Sequence, residues 1–161
     1  MQILEKQYVL ALKAREAMLS FVESSVGGQM SRPLPAFNNK SIRDLLVHNA
    51  VCYLHWIDHF AFRQPKPAIE EEDFSTMAEI RQLYRLVDER MNAFLERFGS
   101  NLEERISGDQ EKWGAGGATA LEVFTHVMTH EFHHKGQILL MCRQWGHVPP
   151  DTDISIAFRE E

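Results

Sequence analysis

Eight histidines stand in this chain of 161 residues, and seven of them fall into two short stretches. The first holds His48, His55 and His59, the second His126, His130, His133 and His134. Neutral imidazole is a good ligand for Zn, Ni, Cu and Fe, so clustered histidines point first to a metal. Helical residues four apart lie on one face, about 5–6 Å apart at the β-carbon, so His130 and His134 can reach one ion. The pair His126/His130 has the same spacing, and spacing alone does not choose between them. Facing does. At about 100° per residue, Val123, Val127, His134, Ile138, Met141 and Trp145 share a stripe with His130 at its edge. His126 and His133 fall on a flank, roughly 80–100° away from His134, so His130 and His134 are expected to point into the bundle and His126 and His133 sideways.

Two imidazoles make an incomplete site, and a third ligand must come from another helix. His48, beside Leu45 and Cys52 on a face read as buried, would complete a three-histidine site with positions open for water or a substrate atom. Tyr53, Trp56, Met141 and Trp145 are the expected cavity walls. His55 and His59 read as solvated residues at a helix end. Cys52 and Cys142 read as small buried hydrophobes; Cys52, one turn beyond His48 on the same face, is the lesser alternative ligand. Glu131 is a candidate partner of the ligands or general base, since His130-Glu131-Phe132-His133-His134 satisfies the HExxH pattern. Its position about 100° from His130, with no Glu-rich helix downstream, speaks against a protease. Mid-helix Gly136 costs stability, which close approach of another helix would explain.

Four helices must position these groups. The first covers about residues 3–25, with Leu4, Tyr8, Ala11, Ala14, Met18 and Phe21 in a stripe, and Gly27-Gly28 stops it. The second starts at Ser41 with Asp44 three residues on, a capping pair, and runs to about Phe62. The acidic run Glu70–Asp73 reads as a solvated approach to the third helix, which Thr76 and Glu79 cap and which ends near Gly99. Trp113-Gly114-Ala115-Gly116-Gly117 reads as a hinge or turn. Thr119 and Glu122 cap the fourth helix, which reaches Trp145; Gly146 and Pro149-Pro150 end it. The last ten residues read as a short strand or extended tail. The class is all-α, a four-helix bundle, with the order of the helices left open.

Composition agrees with one domain over residues 1–161: 44% of the residues are apolar and 25% charged. A net charge of −6 argues against nucleic-acid or anionic-membrane partners. No apolar run reaches a membrane span and no secretory signal opens the chain, so a cytoplasmic location is expected. Two cysteines inside helical segments imply no disulfide framework.

The segment Ser41-Ile42-Arg43-Asp44-Leu45-Leu46-Val47-His48, with Trp56, resembles the DinB family, the DinB/YfiT-like metalloenzymes. So do His126 with His130-Glu131-Phe132-His133-His134-Lys135-Gly136-Gln137-Ile138, and Arg143-Gln144-Trp145-Gly146-His147-Val148-Pro149-Pro150. The resemblance implies a four-helix bundle with a long crossover connection, often a homodimer. It implies a divalent transition metal, Zn or Ni foremost, held by one histidine of the second helix and two of the last, here His48, His130 and His134. Characterised relatives are metal-dependent transferases that add a small thiol to an electrophile, and others are labelled hydrolases. The reading that follows is an enzyme in which metal activates a small-molecule thiol or water. The alternative is a non-catalytic metal-binding or stress-response module acting through dimerisation or partner binding.

Overall fold

The computed structural model describes residues 3–107 and 117–158. Among the described residues the α-helices are α1 (Ile3–Phe21), α2 (Ile42–Leu54), α3 (Met77–Phe98) and α4 (Ala120–Gln144). The three capping pairs form as the sequence requires. Ser41, Thr76 and Thr119 each accept from the backbone three residues on, and Asp44, Glu79 and Glu122 each reach back. Each satisfies two helix-end donors that would otherwise be orphaned. Gly146 ends the last helix with φ +86°, a conformation that L side chains rarely adopt.

Two helices continue past their α-helical part as π-turns, over Val22–Val26 and His55–Ala61. The second carries the α2 direction to the position expected from the apolar pattern. The acidic run forms a short 3₁₀ turn, Glu71–Asp73, tied back by Lys40 to Glu71 at 2.8 Å.

α1 and α2 both pack against α3 and α4, which places the consecutive helices α1 and α2 on a diagonal of the bundle. Crossing that diagonal accounts for the long connection through residues 22–41. Apolar residues from all four helices form one core, including Met18, Leu46, Ile80, Met91, Val127 and Ile138.

Three expectations change. The C-terminal segment forms a 3₁₀ helix, Ile154–Phe158, rather than a strand or extended tail. Two short strands appear although the class was read as all-α, β1 (Arg105–Ile106) and β2 (Ala118–Thr119), paired antiparallel. Gly117 sits just before β2, where a Cβ would meet the Ile106 carbonyl oxygen at 2.1 Å. The rest of the glycine cluster read as a hinge, Trp113–Gly116, lies outside the described residues. Third, no helix approaches Gly136: among the described residues, nothing lies within 4 Å of a Cβ built there. Among the same residues, no helix is long and apolar enough to cross a membrane.

Candidate metal centre

α2 and α4 lie side by side, and each presents side chains one turn apart along the seam between them. His48 of α2 meets His130 and His134 of α4, with ring centroids 5.3 and 4.8 Å away. His130 and His134 are 4.4 Å apart by the same measure. One ligand nitrogen from each ring lies within 4.8 Å of the others. Donor atoms on a tetrahedral ion stand roughly 3.3–3.8 Å apart, from bonds of about 2.0–2.3 Å, so small side-chain movements close this triangle on a cation.

Hydrogen bonding fits a cation as well. His134 Nδ1 bonds Gln137 Oε1 at 2.7 Å. An amide oxygen only accepts, so Nδ1 carries the hydrogen and Nε2 keeps its lone pair. His130 Nε2 is buried and has no hydrogen-bond partner among the described residues. A buried polar atom without a partner is costly, and ligation to a metal would satisfy it. Burial, reinforced by the neighbouring rings of His134 and His48, pushes His130 down to about 4. Burial lowers His134 and His126 too, with the Gln137 bond opposing the shift at His134. His130 and His134 are therefore neutral near pH 7, the form that binds metal.

The centre does not occupy the bundle interior. His48 is exposed and His130 half-buried, while His134 is 8% exposed. Between the four helices at this level lies a charged network instead. Glu131 and Arg15, each 3% exposed, form a bidentate pair at 2.7 and 2.8 Å. Tyr53 donates its hydroxyl to Glu131 at 2.5 Å, Arg15 reaches Asp88, and Tyr8 donates to Asp88 at 2.6 Å. The Glu131 carboxylate is thus turned into the core, and it supports the bundle there rather than serving as a base beside the histidines. Arg15 went unread in the sequence. Its signal was a charge one turn beyond Ala11, on the apolar stripe of α1.

A cleft of about 360 Å³ opens beside the histidines, walled by Cys52, His55, Trp56, His126 and, from the loop after α2, Lys66 and Pro67. A smaller one of about 170 Å³ reaches His48 and His134 from the side of Lys40, Asp44 and Glu71. Of the expected walls, Trp56 lines the larger cleft. Tyr53 and Met141 are core residues, fully covered, and Trp145 packs against the core with its indole nitrogen unpartnered among the described residues. The reason is rotational: the seam lies at the edge of the α4 stripe, so residues at its centre face the core. His126, read as facing sideways, opens onto the cleft, with its ring 4.7 Å from that of Trp56. Its Nε2 lies 3.9 Å from Cys52 Sγ. Cys52 is half-buried, and burial pushes its thiol up to about 12.

A family model described as the DinB family matches residues 35–160, a span that includes every residue of this centre. The chain belongs to the DinB family. Protein DinB of Bacillus subtilis (strain 168) is 26% identical to it over 123 residues, which cover 72% of this chain and 71% of that protein. In this DinB-family chain, Gln137, which bonds His134, was read in the sequence only as part of the family segment and given no role of its own. It stands three residues after His134, on the same helix face.

Proposed function

We propose that this protein is a metal-dependent enzyme in which His48, His130 and His134 hold a divalent transition metal, Zn or Ni. The observation that carries the proposal is the convergence of three imidazoles on one point, with one ring nitrogen buried and unpartnered among the described residues. Such an ion, when bound, brings the pKa of water toward about 7 and deprotonates a thiol outright, supplying a nucleophile near neutral pH. Everything else falls to the chain. Gln137 orients His134 by its 2.7 Å bond. Trp56, Cys52 and Val51 give the larger cleft a mostly apolar wall that displaces water from a small organic substrate. Lys66 places a positive charge on the same cleft. Three protein ligands leave coordination positions free, which supports catalysis over a closed structural site.

The reaction class is addition of a small-molecule thiol, or of water, to an electrophile. We place the enzyme in the cytoplasm as a homodimer with small-molecule partners; the net charge of −6 disfavours nucleic acid. The test loads the full-length protein with Zn or Ni and supplies low-molecular-weight thiols with an electrophile such as an activated alkene. Product formation that disappears in His130→Ala is the expected result. Turnover unchanged in that variant would overturn the proposal. Metal bound without any turnover would favour the non-catalytic module.

A further inference from the structure

The seam between α2 and α4 carries more ligand atoms than one three-histidine site uses. Along α2, His48 is followed one turn later by Cys52. Along α4, His134 and His130 are preceded one turn earlier by His126. His48 meets His130 and His134, while Cys52 meets His126, so the two helices run antiparallel and their donors form successive rungs. Cys52 Sγ and one nitrogen each of His126 and His130 lie within 4.8 Å of one another, the same closeness as in the three-histidine group. From this juxtaposition we infer that Cys52, His126 and His130 form a second metal position that takes a thiophilic cation.

Four residues along a helix rise about 6 Å, so the second position lies one helical turn from the first. The two share His130, whose imidazole has two nitrogens, so occupancy of one bears on the other. The donor set differs in kind. A sulfur and two imidazoles favour Zn²⁺, Cd²⁺ or Cu⁺ over harder ions. Binding exchanges the Cys52 S–H bond for a sulfur–metal bond and releases one proton to solvent. The side chains are held for this role. The Trp56 ring lies 4.7 Å from that of His126, and the His126 and His130 rings stack at 5.7 Å with 27° between their planes. Cys52 and His126 also both line the larger cleft, so a cation can reach them from solvent.

Apart from the shared His130 the two positions use different ligands, so they can be tested apart. Cadmium ion is the probe, because a thiolate bound to it gives an ultraviolet charge-transfer band that imidazole ligands do not give. In a full-length His48→Ala/His134→Ala variant the first centre is dismantled, and the band should still rise to saturation with added cadmium. Adding Cys52→Ser should abolish it, and adding His126→Ala should weaken cadmium binding by at least the roughly 10–100-fold that losing a ligand-orienting group costs. No band at saturating cadmium, a band that survives Cys52→Ser, or affinity indifferent to His126→Ala would each overturn the inference. Should the double variant not fold, the same titration of the wild-type chain beside Cys52→Ser and His126→Ala separates the same outcomes, since the other cysteine, Cys142, is fully buried. Failure of the three-histidine centre would appear separately, as zinc content unaffected by His48→Ala.

Discussion

His134 and Gln137, three residues apart on α4, are joined by a 2.7 Å bond from ring Nδ1 to amide Oε1. The bond fixes the tautomer and rotation of one proposed ligand before any metal arrives. Gln137→Ala should therefore weaken metal affinity by about 10–100-fold, the usual cost of losing a group that orients a ligand. A competitive chelator titration reads the affinity, and circular dichroism should show the helices unchanged.

The Arg15–Glu131 pair predicts a different kind of loss. Removing one partner of a buried ion pair strands the other charge, at a cost of about 3–5 kcal/mol. Glu131→Ala should lower the unfolding free energy by that amount in urea denaturation. Tyr53→Phe, which deletes one hydrogen bond to the same carboxylate, should cost less, about 1.5–3 kcal/mol. A Glu131→Ala protein as stable as wild type would contradict the structural role given to this residue.

The metal-free protein should lose stability in mildly acidic solution. Burial holds His130 at about 4, below the ordinary value of 6.5, and His134 and His126 shift in the same direction. Between those two values the unfolded chain binds more protons than the folded one. The stabilisation is therefore complete above about pH 6.5 and is lost as pH falls toward 4. Urea midpoints measured across that window should decline in wild type and decline less steeply in His130→Ala. Equal slopes would contradict the shift.

Gly136→Ala should stabilise the protein. The glycine is exposed in mid-helix, and an added Cβ meets nothing within 4 Å among the described residues. Replacing Gly by Ala at such a position is worth about 0.5–1 kcal/mol, a rise of a few degrees in Tm. Metal content should not change.

Much of the architecture was legible before any coordinates. Apolar periodicity placed all four helices, and the pairs Ser41/Asp44, Thr76/Glu79 and Thr119/Glu122 marked where three of them begin. Both are local properties: a cap involves residues three apart, and a stripe repeats every turn. The four-residue steps from His126 to His130 and His134, and from His48 to Cys52, were equally readable, because helical geometry dictates them. The C-terminal 3₁₀ helix was missed because a short segment of mixed composition lacks a period long enough to declare itself.

The sequence by itself determined which side chains share a helix face and how far apart they lie along it. Only the tertiary structure decided which faces meet. It set α1 and α2 on a diagonal, gave the interior to Arg15 and Glu131, and moved the histidines out to an open seam. It also turned His126 toward Cys52, which no spacing within either helix could predict. The rotation of each helix about its axis is a compromise among all its packing partners. The buried ion pair that ties Glu131 of α4 to Arg15 of α1 therefore helps set where the other residues of α4 point.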